Sequence, residues 1–142
     1  MRHWMAIPTL MFILLATSPA LAGPGARGHA SPFDLSEGER ARLPLVLVDG
    51  AGFTWDIQGD GSVSNGTGDA FDTAMTLQVA GATPRVGAGA RLIGDGRLLV
   101  LPTVDTAGGL QLTRSVHVPA DGGYARWVDV LYNPGDESVT TT

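Results

Sequence analysis

The sequence predicts an all-β fold: a sandwich-like domain of mainly antiparallel strands. Three observations lead there. Apolar residues alternate with period two in several short runs, Gly, Asp and Pro turns separate those runs, and no helical period extends past a turn or two. Twenty Gly and 9 Pro among 142 residues are too many backbone punctuators for a helical bundle, and the length bounds the chain to one modest domain.

Residues 1–22 stand apart from that domain. Arg2 and His3 precede an apolar run from Trp4 to Leu15, and Ala20-Leu21-Ala22 closes the segment. A charged start, a short apolar centre and an A-x-A end are the parts of a secretory signal peptide, cut between Ala22 and Gly23. The run is short for a membrane span and no second one follows, so no span is expected after cleavage. There is no cysteine to carry a lipid at a new N-terminus. The chain is therefore expected outside the cytoplasm: extracellular, on the cell surface or in the periplasm. The absence of cysteine fits bacterial export best. A net charge of −5, one unit more negative once Arg2 is lost, disfavours nucleic acid and anionic membranes as partners.

Residues 23–42 are expected to form a flexible leader, since Gly23 to Pro32 is mostly Gly, Ala, Pro and Ser. One helical turn is allowed in it, where Ser36 and Glu39 stand at capping-box spacing. The β-domain is expected over 43–142. Leu43, Leu45 and Leu47, the turn dipeptide Asp49-Gly50, and Phe53, Trp55 and Ile57 predict a hairpin. Met75, Leu77 and Val79 predict a strand ended by Gly81. The apolar run Leu98 to Leu101, between Gly96 and Pro102, predicts a strand buried on both faces.

The last unit is a second hairpin. Leu110, Leu112, Val116 and Val118 share a face that Arg114 interrupts, and a turn centred on Asp121 leads into Tyr124 to Tyr132. Such a turn sets Arg114 opposite Val128 and Ser115 opposite Trp127, which puts Trp127 on the more polar face. Ser138 to Thr142 is the β-prone start of another strand, so the domain reads as truncated at its C-terminus.

Little catalytic chemistry is visible. There is no cysteine nucleophile, no G-x-S-x-G, and no lysine for a phosphate loop. Beyond the export segment the only histidines are His29 and His117, too few for a zinc site. No enzyme is expected and no cofactor is required. The one cluster of hard oxygen ligands runs from Asp56 through Asp60 to Asp69 and Asp72. Asp56, Gln58, Asp60 and Gly61 imitate the start of a calcium loop, but Thr67 stands where a bidentate Glu is needed. Two readings stay open: Asp56, Asp60, Asp69 and Asp72 gather on one calcium ion, or they cap turn amides, which is the ordinary role of such residues and the preferred one. For carbohydrate contact the candidates are Trp127, Tyr124 and Tyr132, with Arg126 as a donor to hydroxyls.

Several motifs together resemble a known module. They are Phe53-x-Trp55-Asp56-Ile57-Gln58, Gly61-Ser62-Val63, Asn65-Gly66-Thr67-x-Asp69-Ala70-Phe71-Asp72, Thr113-Arg114-x-Val116-x-Val118-Pro119, Gly123-Tyr124-Ala125-Arg126 and Asn133-Pro134-Gly135. The chain from Gly52 to Val139 resembles an N-terminal β-sandwich-like module of large secreted bacterial multidomain proteins, whose own activity is unassigned. Two departures matter: Thr73-Ala74 stands where a Gly is usual, and the family module runs on past Thr142. The second hairpin with Asn133-Pro134-Gly135 is also similar to the supersandwich domains attached to glycoside hydrolases.

The resemblance implies a non-catalytic structural or adhesion-type module at the front of a larger secreted or surface protein. Its partners would be downstream domains of the same polypeptide or cell-surface components. The alternative is a carbohydrate-binding accessory domain, with a glycan as partner.

Overall fold

A computed structural model describes residues 12–13, 33, 35, 38–64, 71, 73–83 and 88–141. Among them there is no helix, and so none long and apolar enough to cross a membrane. The elements are β1 (Phe12–Ile13), β2 (Glu39–Arg40), β3 (Leu45–Val48), β4 (Thr54–Ile57), β5 (Arg91–Ile93), β6 (Leu98–Val100), β7 (Val104–Asp105), β8 (Gln111–His117) and β9 (Arg126–Tyr132). They form two sheets. The larger has the order β1-β9-β8-β6-β5-β2, with β7 also on β8, and the smaller is the hairpin β3-β4. Every pairing is antiparallel except β1 with β9.

The hairpin forms where the alternation places it. Leu45 and Leu47 pair with Ile57 and Trp55 on the inner face, and Val46 and Val48 pair with Asp56 and Thr54 on the outer. Its loop is longer than a two-residue turn. Gly52 donates its N–H to the Asp49 carbonyl and adopts φ +87°, so Gly50-Ala51-Gly52 is a three-residue loop ending in the left-handed residue that such loops require. Trp55, Ile57 and Val63 then meet Leu99, Val116, Val118 and Trp127 in one core between the sheets.

Strand β8 lies at the centre of the larger sheet. One of its edges carries β9, and the other carries β6 and β7 end to end. The register advances by one residue between β6 and β7, across Pro102-Thr103, where proline has no N–H to give a ladder. Leu99, Val100 and Leu101 are fully buried, as expected of this run.

Four expectations need correction. The β8–β9 register differs by one residue from a turn centred on Asp121: Arg114 faces Asp129, Val116 faces Trp127 and His117 faces Arg126. A slip of one residue turns β9 over, because side chains alternate with period two. Second, Met75 to Val79 is not a strand. Thr73 and Met75 take φ of 57° and 61°, which breaks the extended run, and only isolated bridges, Val63–Ala74 and Val79–Ala82, remain. Third, Glu39–Arg40, inside the expected leader, is a strand paired to β5. Fourth, Ser138 to Thr141 carries no strand pairing among the described residues. The expected export segment, β1 apart, lies outside the described residues, as do residues 14–32.

Candidate functional site

The polar groups buried between the sheets hold the hairpin in place. At its tip, Asp49 is buried, and Oδ1 accepts the N–H groups of Ala51 and Phe53 at 2.9 and 3.0 Å. Its Oδ2 accepts the Trp55 indole N–H at 3.0 Å. Gly50 donates to the Gly122 carbonyl at 3.0 Å, tying this tip to the β8–β9 loop. A Cβ on Gly50 would lie 2.6 Å from the Gly122 nitrogen, so the two loops touch backbone to backbone.

At the other end of β4 the turn Gln58–Ser62 rests on the larger sheet. Trp127 donates its indole N–H to the Gly61 carbonyl at 2.8 Å, and Arg114 donates from one terminal nitrogen to the Asp60 carbonyl at 3.1 Å. Arg114 Nε lies 2.9 Å from Asp129 Oδ1, an ionic contact off the hydrogen-bond axis, and the second terminal nitrogen reaches Oδ2 at 3.4 Å. Burial lowers the Arg114 pKa and raises that of Asp129, and each partner's charge works against that shift. The indoles of Trp55 and Trp127 are in contact, with centroids 5.6 Å apart, and Phe71 tilts against Trp55 at 5.8 Å.

Of the four expected calcium ligands, Asp56 and Asp60 lie among the described residues. Asp56 is half-buried on the outer face of β4, opposite Val46. Asp60 lies in the turn, and its Oδ1 accepts both the N–H and the hydroxyl of Ser62, at 2.9 and 2.6 Å. That is the turn-capping role. Partial burial pushes the Asp60 pKa up, but the Ser62 hydrogen bonds and the Arg114 charge outweigh it and hold the carboxyl below its ordinary value. Asp69 and Asp72 lie outside the described residues. Among the described residues no three His, Cys, Asp or Glu side chains cluster as a metal site would require.

The expected carbohydrate platform is rearranged by the register. Trp127, expected on the polar face, is only 4% exposed, and its ring belongs to the core. Tyr124, Tyr132 and Arg126 are exposed. Tyr132 ends β9 and Tyr124 lies in the loop before it.

A feature that no sequence motif marks is the outer edge of the hairpin. Asp49 donates its backbone N–H to the Phe53 carbonyl, which makes 49–53 a hydrogen-bonded pair. By alternation 47–55 and 45–57 are bonded pairs too, while 46–56 and 48–54 are not. Asp56 confirms the phase, because its carbonyl faces away from β3 and accepts the Ser64 N–H at 3.1 Å. The N–H and C=O groups of Val46 and Val48 therefore point out from the edge. Of these, the Val48 carbonyl accepts an Arg97 terminal nitrogen at 2.8 Å. The side chains of Val46 and Val48 are 56% and 48% exposed. The apolar run Leu45 to Val48 is legible as a strand, but only the pairing shows that the strand lies at an edge.

No family model, curated protein or solved structure matches the chain.

Proposed function

We propose that the chain is an exported, non-catalytic contact module, structural or adhesive, standing at the front of a larger secreted or surface protein. The observation that carries this reading is the outer side of the hairpin, where Val46, Val48 and Phe53 hold apolar side chains in water. Exposed apolar surface beside an unpaired strand edge is a protein-contact feature. The buried polar residues support it as well. Asp49 is engaged with the hairpin loop and Trp55, and Arg114 with Asp129 and the turn at Asp60, and so they serve to fix the hairpin's position. Export rests on residues 1–22, with their charged start, apolar centre and A-x-A end.

Two measurements test this. Protein recovered from the exported fraction should begin at Gly23. Cells displaying that chain should settle faster than cells displaying a Val46→Lys, Val48→Lys variant. Retention in the cytoplasm with Met1 intact overturns export, and settling indifferent to the two substitutions overturns the contact role.

A further inference from the structure

We propose that a second copy of this chain adds its Ser138–Thr141 segment as an antiparallel strand on the free edge of β3. The proposal rests on the contact-module reading and names its partner. Two unsatisfied elements carry it. One is an edge on which no strand lies among the described residues: β3 is four residues long, uncharged, and turns the backbone groups of Val46 and Val48 outward. The other is a segment without an edge: Ser138–Thr141 is β-prone in sequence, Val139 is 39% exposed, and among the described residues no strand pairs with it. An edge of this kind is a template for an added strand, and main-chain hydrogen bonds supply the affinity.

Charge sets the direction. Asp136 and Glu137 immediately precede the added segment, and Arg97 sits at the Val48 end of β3. Antiparallel addition brings the acidic pair to Arg97, which can pass the Val48 carbonyl to the incoming strand and take a carboxylate instead. In the free chain the same arginine covers half of the edge's acceptors. At the other end Pro44 has no N–H and marks the limit of the ladder. Because donor and acceptor are different surfaces, the contact is head to tail, and copies add in a row rather than closing as a pair.

The test is sedimentation of the chain as recovered after export. The weight-average mass should rise with concentration past that of a dimer. Val46→Lys and Val139→Lys should each lose this association while keeping the wild-type circular dichroism spectrum and melting temperature, since both positions are exposed. An equimolar mixture of the two variants should form heterodimers and nothing larger, because one variant retains a donor and the other an acceptor. A labelled peptide of residues 136–142, which requires no variant to fold, should bind the dilute wild-type chain. A chain that stays monomeric, association that survives both substitutions, or a mixture that does not pair overturns strand addition. Displayed cells that settle through Val46 and Val48 while the free chain stays monomeric would sink this proposal alone. Cells that do not settle would sink the reading beneath it.

Discussion

Arg114 and Asp129 face each other across β8 and β9, with Nε 2.9 Å from Oδ1 and both side chains less than a tenth exposed. The pair lies on the core side of the sheet, between Trp127 and the turn that carries Asp60. Removing one partner leaves the other charge buried and unpaired. Asp129→Ala is expected to cost about 3–5 kcal/mol in urea unfolding. Replacing both, as Arg114→Met with Asp129→Leu, should recover most of that loss. A single variant as stable as the wild type would mean that the charge escapes to water.

Asp60 and Asp129 should bend the pH profile in opposite senses. The Asp60 pKa is held below its ordinary 3.8, so its stabilising contribution is present above that value and fades as pH falls through the lower folded-state value. The Asp129 pKa is raised, so its contribution is present below the unfolded value and is lost as pH rises through the higher one. In stepwise urea titrations the gap between wild type and Asp60→Asn should narrow on acidification below about pH 4, whereas the gap to Asp129→Asn should narrow as pH rises. Parallel curves for both variants would contradict the assignment.

Glycines 59 and 61 make a matched pair. Gly61 has φ +76°, and a Cβ there would lie 2.8 Å from Arg114 Cδ and 3.0 Å from Leu101 Cδ1. Gly61→Ala should therefore destabilise by about 2 kcal/mol. Nothing lies within 4 Å of a Cβ on Gly59, and its φ is not left-handed. Gly59→Ala is expected to be neutral or stabilising by about 0.5 kcal/mol. Thermal unfolding of the two variants side by side decides it, and equal effects would remove the special role of the Gly61 approach.

If Asp56, Asp60, Asp69 and Asp72 cap turns, melting curves in millimolar calcium and in chelator should coincide. An ion bound only by the folded chain at a hundredfold excess over its Kd adds about 2.7 kcal/mol, a rise of roughly 10 °C. Such a rise, lost in Asp60→Asn, would establish the calcium site instead.

The hairpin β3–β4 and strand β6 were legible because burial is one-sided in the first and two-sided in the second, and side-chain period reports burial directly. Strand β5 was missed although Gly94-Asp95-Gly96, with φ of 59°, 56° and 74°, is as good a turn signal as Asp49-Gly50. The break at Thr73 and Met75 was hidden, since left-handed backbone at non-glycine residues leaves no trace in an apolar alternation. The β8–β9 register was open to inference. Arg114 interrupts an apolar face and needs an anion, and Asp129 is the one carboxylate in the opposing strand. Pairing those two first turns Trp127 inward and removes it from the surface. The free edge of β3 depends on which strands fail to meet, and that is a property of topology rather than of any local run.

The two attachments of β4, Asp49 with Trp55 at one end and Gly61 with Trp127 at the other, have a consequence for how the molecule opens. A strand fastened at one end can peel; a strand fastened at both must release two buried indoles together. The small sheet is then no separate foldon, and its inner amides should exchange with solvent at the same opening free energy as those of β8.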